Sequence, residues 1–188
     1  MAETFWSGWF PRSSTILKGR DTVNDVAALN PEVTVTACAP EALLRLDLWT
    51  GPADGVLPNV GHALDAFQGR IIGIEPAAWL LRAPMPQESE AGTWLAGLAG
   101  DHGAVIVLTG GLVRFRLEGA RWRELLTINA VFDVENPAFA PGSVAATILN
   151  HAAIWIDVVT DAAADVYCLP SYSEHLATGW RHAISRMD

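Results

Sequence analysis

Alternating apolar and polar positions predict two β-strands soon after residue 32. Val33, Val35 and Ala37 alternate with threonines, and leucines at 44, 46 and 48 alternate with an arginine and an aspartate. Apolar side chains at every second position are typical of a strand with one buried face. Short apolar segments at 70–74 and 79–82, separated by Pro76, predict a tight strand–turn–strand unit.

The second half of the chain continues in the same way. Residues 104–108 form an apolar run that predicts a strand, expected at the centre of its sheet. After the turn at Gly110 and Gly111, residues 113–117 predict a strand that places Arg114 and Arg116 on one face. Three further strands are predicted at 144–149, 153–159 and 165–169.

Helical periodicity is found between these strands. Apolar residues at 91, 94, 95 and 98 predict an amphipathic helix, and shorter helices are expected at 62–68 and 119–126. A last helix is predicted to begin at Ser171, with Glu174 completing a capping box. Helices do not follow every strand, so the pattern favours an α+β fold with a mixed or antiparallel sheet and packed helices. The similar order of elements in the two halves is a faint sign of an internal repeat.

The first 32 residues have no such pattern. We interpret 1–32 as an irregular extension and 33–188 as one compact domain. The extension carries an aromatic cluster made of Phe5, Trp6, Trp9 and Phe10. Large aromatic side chains are enriched at the buried centres of interfaces. The cluster is therefore a candidate partner interface, and packing on the chain's own domain is the alternative.

Composition narrows the choice of partners. The formal net charge is −9, and 51% of the residues are hydrophobic. An acidic chain without clustered lysine and arginine is not expected to bind nucleic acid or an anionic membrane. Met1 to Ser14 do not have the form of a signal peptide, and no apolar run is long enough to span a bilayer. With two distant cysteines, Cys38 and Cys168, these features favour a cytoplasmic protein with reduced thiols.

No arrangement of residues predicts catalysis. Metal-binding histidine spacings, a nucleophile elbow and a phosphate loop are all absent from the sequence. His175 and His182 share one face of the last helix but are too far apart for one metal ion. Arg114 and Arg116 could hold an anionic ligand such as the glutamate tail of a folate. A solvated or ion-paired sheet face is the more common role for such a pair.

Four segments carry a resemblance to a known family, in the same order over about two thirds of the chain. They are residues 69–72 with 79–81, 105–109 with 117–121, 139–142 with 145–147, and 170–172 with Leu176 and Trp180. Together they resemble the gamma subunit of heterotetrameric sarcosine oxidase. That subunit is related to the folate-binding aminomethyltransferases, so the resemblance implies a single compact domain with a folate-binding-domain-like fold.

The resemblance also implies a role. In such complexes the flavin, NAD and tetrahydrofolate belong to the larger subunits and zinc to the smallest, so no catalytic, cofactor-binding or metal-binding residue is expected in this chain. It would be a non-catalytic structural subunit of an enzyme that oxidatively demethylates sarcosine or a related N-methylated amine. The alternatives are a folate-binding module and a stand-alone aminomethyltransferase-like protein.

Overall fold

The structure is a computed structural model that describes residues 32–49, 67–128 and 130–187. Within these ranges the chain forms nine strands and three α-helices, as the α+β prediction requires. The strands form two antiparallel sheets that face one another, whereas the sequence suggested one mixed or antiparallel sheet. The predicted helix at 62–68 and the aromatic cluster at 5–10 lie outside the described residues, apart from Phe67 and Gln68, which form a turn.

The first sheet has five strands in the order β1-β6-β9-β8-β7. Its strands are β1 (Thr34–Ala37), β6 (Val113–Glu118), β9 (Ala163–Cys168), β8 (Ala152–Thr160) and β7 (Val144–Leu149). Neighbouring strands are antiparallel throughout. This sheet is built from the second half of the chain, with β1 added at its edge from the beginning of the described region.

The second sheet has four strands in the order β3-β4-β2-β5 and comes from the first half of the chain. Its strands are β3 (Arg70–Glu75), β4 (Ala78–Ala83), β2 (Ala42–Leu48) and β5 (Gly103–Val107). β5 pairs only with β2, so it is an edge strand among the described residues. The prediction that 104–108 is central was therefore wrong, and the side chains of Ile106 and Val107 are exposed.

Helices cover the outer face of each sheet. Helix α1 (Glu88–Ala99) packs Ala91, Leu95 and Ala99 against the leucines of β2. Helices α2 (Trp122–Thr127) and α3 (Pro170–Ile184) cover the first sheet, where Trp122, Trp180 and their neighbours form the largest core. The layers are therefore helix, sheet, sheet, helix. A third, smaller apolar cluster lies between the sheets and includes Leu43, Ile72, Leu80 and Tyr167.

The start of α3 differs from the prediction. The helix begins at Pro170 with Leu169 as its N-cap, and no side chain caps it. Proline is well suited to the first helical position because its missing N–H would have no helical partner there. Ser171 therefore lies inside the first turn, and its predicted capping box with Glu174 does not form. The sequence predicts an apolar stripe of Tyr172, Leu176, Trp180 and Ile184 on this helix. Leu176, Trp180 and Ile184 are buried, whereas Tyr172 in the first turn is exposed.

Candidate functional site

Charged side chains occupy the space between the two sheets. On the inner face of the first sheet, Asp157 of β8 lies directly opposite Asp165 of β9. On the inner face of the second sheet, Arg70 of β3 lies directly opposite Arg82 of β4. Like charges at directly opposed positions of a sheet repel one another. Here each repulsion is relieved across the sheets, because Arg70 binds Asp157 and Arg82 binds Asp165.

Asp165 is the centre of this arrangement, and its side chain is completely buried. Its carboxylate accepts hydrogen bonds from three guanidinium groups. Arg116 Nε donates at 2.5 Å, Arg114 Nη1 at 3.1 Å and Arg82 Nη1 at 3.2 Å. A buried carboxylate is tolerated in a protein interior when its charge is paired and its lone pairs are satisfied. We refer to Asp165, Arg82, Arg114, Arg116 and Glu41 as the Asp165 cluster.

Glu41 completes the cluster at its outer side. It accepts a hydrogen bond from Arg114 Nε at 2.8 Å and lies 3.8 Å from Arg82 Nη1. Three arginines thus face two carboxylates, and Arg116 also reaches Glu118 at 3.8 Å. The prediction that Arg114 and Arg116 share a face is confirmed, and the face is ion-paired. An anionic ligand would have to compete there with Asp165 and Glu41.

Asp157 is paired with a single arginine. Arg70 donates two parallel hydrogen bonds to the Asp157 carboxylate, from Nε at 2.5 Å and from Nη2 at 2.6 Å. The carboxylate of Asp157 is almost fully buried, while about a third of the arginine side chain is exposed. Bidentate pairing raises the pKa of Arg70 and fixes the orientation of both groups. This pair joins the edge strand β3 to β8, an interior strand of the first sheet.

Tyr167 lies in the same layer, on β9 beside Arg114 of β6. Its ring is fully buried, and its hydroxyl has no hydrogen-bond partner among the described residues. Burial is the main cause that raises the pKa of this phenol well above its ordinary value. The hydroxyl is therefore neutral throughout the physiological range, and it is a donor without an acceptor beside a charged cluster.

Two hollows lie at the surface near these elements. One, of about 270 Å³, is lined by apolar residues with Glu41 and Arg114 at its charged side. The other, of about 340 Å³, lies between α2 and α3 and is lined by Glu124, Asn150, His182 and Arg186, among others. His182 is exposed, and His175 Nε2 lies 3.0 Å from the carbonyl oxygen of Asn150. The shared face of these histidines thus lies at the surface, as predicted.

The described residues contain no group of three metal-ligating side chains close enough to hold one ion. Cys38 and Cys168 are both free thiols, and Cys168 is buried in the core beneath α3. The partner-interface residues proposed from the sequence, Phe5, Trp6, Trp9 and Phe10, lie outside the described residues, so their role stays a prediction.

Sequence reasoning missed four of the charged residues that lie between the sheets. Asp157, Asp165, Arg70 and Arg82 each stand in an apolar strand segment at an alternate position. That pattern is compatible with a solvated strand face, which is its usual interpretation. These charges are paired because the second sheet packs on the first, and local periodicity in the sequence does not predict that packing. An aspartate within a continuous apolar strand, as in the segment around Asp157, is the one signal that could have indicated it.

In the part of the chain that the structure describes, no helix has the length and apolar character needed to cross a membrane. Comparison of the sequence with known protein families and with curated proteins gives no match.

Comparison with solved structures gives several matches. A chain of the heterotetrameric sarcosine oxidase from Corynebacterium sp. U-96, solved in complex with pyrrole 2-carboxylate, has a TM-score of 0.70 at 18% identity, covering 81% of this chain and 84% of that chain. The regulatory subunit of aspartate kinase from Thermus thermophilus has a TM-score of 0.53 at 14% identity, covering 79% and 95%. That from Thermus flavus has a TM-score of 0.51 at 14% identity, covering 81% and 97%. These similarities show the fold.

Proposed function

We propose that this chain is a non-catalytic, gamma-type structural subunit of a heteromeric flavoenzyme that oxidatively demethylates sarcosine or a related N-methylated amine. The observation that carries the proposal is the similarity of fold to a sarcosine oxidase chain, which extends over most of both chains. Four sequence segments between residues 69 and 180 resemble the gamma subunit of that enzyme. The motifs support the gamma-type assignment, and the similarity of fold supports the coarser proposal of a sarcosine oxidase subunit.

The chemistry of the described residues agrees with a structural role. The charged groups of the interior form ion pairs with one another, in the Asp165 cluster and in the Arg70–Asp157 pair. Such networks fix the relative position of two sheets, and the acidic and basic groups that form them are bound to one another. Flavin, NAD and tetrahydrofolate would then bind to larger subunits, and zinc to a small one. Electrons would pass to the flavin, and water or tetrahydrofolate would take the one-carbon unit elsewhere in the complex.

The folate-binding alternative depends on the same arginines. For Arg114 or Arg116 to bind a folate tail, their N–H groups would have to leave Asp165 or Glu41, and the buried Asp165 would lose its partners. Breaking a buried ion pair in this way is costly. The geometry therefore favours the structural role over folate binding by this chain.

The test is affinity purification of the tagged full chain from its own cells, followed by mass spectrometry and a visible absorption spectrum of the eluate. Stoichiometric larger subunits with a flavin spectrum and oxidation of an N-methylated amine are expected. A colourless chain without partners would contradict the proposal. Folate binding by that lone chain, lost in Arg114→Ala, would favour the alternative instead.

A further inference from the structure

The hollow of about 340 Å³ between α2 and α3 has a cationic side. That side is lined by residues three and four positions apart on α3 and on the turn that follows it, namely Gly179, His182, Ala183 and Arg186. Among the described residues, neither the His182 ring nor the Arg186 guanidinium has a hydrogen-bond or ion-pair partner. Both side chains therefore have N–H donors that are free to bind an anion.

The free guanidinium of Arg186 is unusual in this chain. The described ranges contain nine arginines, and seven of them donate hydrogen bonds to carboxylate or carbonyl oxygens, whereas Arg181 and Arg186 do not. Backbone amides and the Ser185 hydroxyl already donate to the carbonyl oxygens of residues 181–184. Capping of the helix end therefore does not account for Arg186.

The acidic residue at the hollow is Glu124 of α2, and it has its own partner. Both of its carboxylate oxygens accept hydrogen bonds from Arg121, from Nε and from Nη2 at 2.6 Å each. A carboxylate held in this bidentate way has its charge balanced by that arginine. The net charge of the chain is −9, but charges more than about 8 Å away are largely screened at physiological ionic strength. The charge of Arg186 therefore determines which ions the hollow attracts.

A third donor is held in place by the turn between β7 and β8. Asn150 lines the hollow and has a φ of +49°, a backbone conformation that asparagine adopts more readily than most residues. Its carbonyl oxygen lies 3.0 Å from His175 Nε2, which fixes the turn against α3. A Cβ on Gly179 would lie 2.7 Å from Asn150 Nδ2. Glycine is a poor helix former, and at this position it leaves room for the Asn150 amide.

The rest of the lining is apolar and consists of Ile128, Ala183 and Met187. Small-molecule sites typically combine such a lining with a few placed polar groups, in volumes that begin at about 300 Å³. A planar guanidinium matches the two oxygens of a carboxylate. One arginine with an imidazole and an amide suits a single negative charge. The fitting ligand therefore has a carboxylate at one end and a hydrocarbon chain at the other.

We propose that the hollow between α2 and α3 is a binding site for a small aliphatic carboxylate. Arg186, His182 and the Asn150 amide bind the carboxylate oxygens, and Ile128, Ala183 and Met187 contact the hydrocarbon chain. The site is separate from the Asp165 cluster, in which the arginines already have carboxylate partners. It gives the chain a ligand of its own, in addition to the proposed structural role.

The experiment is an NMR titration of the isotope-labelled full chain with hexanoate, with 1-hexanol as an uncharged probe of the same chain length. Saturable shifts are expected for the backbone amide of Gly179 and the side-chain amide of Asn150 with hexanoate only. Arg186→Gln should weaken hexanoate binding about tenfold, because a charge-assisted hydrogen bond is lost. Arg181→Gln is the matched control, since Arg181 is the other arginine without a partner among the described residues and does not line the hollow.

Asn150→Asp tests the third donor with a side chain of the same size. It replaces the amide donor with a carboxylate, which repels the ligand, so hexanoate binding should again fall at least tenfold. The Asn150 amide signal is absent from this variant, so the Gly179 shift is the measured signal there. Thermal melting of each variant confirms that it folds.

Several results would overturn the proposal. They are the absence of saturable shifts at the hollow, equal binding of 1-hexanol, and equal losses in Arg186→Gln and Arg181→Gln. Weaker association of Arg186→Gln with other subunits, without any hexanoate binding, would instead make the hollow a contact for an acidic side chain of a partner. The titration uses the free chain, so its result does not depend on the proposed function.

Discussion

Asp165 is the residue on which the stability of the protein interior depends most. Its buried carboxylate faces three guanidinium groups from two sheets, so neutralising it leaves positive charges together without their counter-charge. We expect Asp165→Asn to lower the free energy of unfolding by about 3–5 kcal/mol. Urea denaturation of the full chain measures this. Glu124→Gln, which breaks the exposed pair with Arg121, is the control and should have little effect. Equal effects of the two substitutions would contradict the central role of the cluster.

Cys168 gives a prediction about alkaline pH. It is buried beneath α3, and burial raises its pKa from 9.0 to about 11. Below pH 9 the thiol is protonated in both the folded and the unfolded chain. Above pH 9 the unfolded chain loses this proton first, so the free energy of unfolding falls as the pH rises towards 11. The contribution is about 2 kcal/mol by pH 11.

Urea denaturation between pH 8 and pH 11 checks this prediction, with Cys168→Ala as the comparison. The variant is less stable at every pH because it leaves a cavity, but its stability should fall less steeply. Tyr167 also contributes to the alkaline fall, since burial raises the pKa of its phenol, and it does so equally in both chains. Parallel pH profiles of the two proteins would show that Cys168 does not titrate as expected.

At the scale of elements, the join between β6 and α2 depends on Gly119. This glycine has a φ of +122°, and a Cβ there would collide with the backbone of Glu32 and Val33 as β1 begins. Gly119→Ala should therefore destabilise the chain by about 1–3 kcal/mol or more. Gly97→Ala is the control, because Gly97 lies in α1 with no atom near the added methyl group. That substitution should stabilise the chain by about 0.5–1 kcal/mol in the same thermal or urea measurement. A tolerated Gly119→Ala would mean that the contact between β1 and this turn is loose.

The elements themselves were largely predictable. All nine strands follow local alternation or apolar runs, and α1, α2 and α3 follow their apolar stripes. What local patterns did not predict is the order of strands, because pairing joins residues far apart in sequence. β5 is apolar enough for a central strand, yet it lies at an edge with Val107 exposed. Likewise Arg114 and Arg116 were placed on one face from the sequence, but their partner Asp165 depends on the pairing of β6 with β9.

At the scale of the whole molecule, the proposed role as an assembly subunit has to account for the aromatic cluster of the N-terminal extension. Phe5, Trp6, Trp9 and Phe10 bring a large apolar area, and aromatic residues supply most of the binding energy in many interfaces. If the chain is an assembly subunit and this cluster contacts a partner, deletion of residues 1–14 should weaken the complex at least tenfold. The melting temperature of the free chain should stay unchanged.

A finer comparison tests the aromatic side chains rather than the length of the segment. Trp6→Ala with Trp9→Ala should reproduce the loss of affinity, whereas Thr4→Ala with Ser7→Ala should not. Gel filtration of the diluted complex measures its dissociation and so its affinity. Circular dichroism measures the melting temperature of the free chain. A lower melting temperature with unchanged affinity would mean that the tryptophans pack on their own domain. Unchanged values of both would remove the cluster from the interface and leave assembly to the folded domain alone.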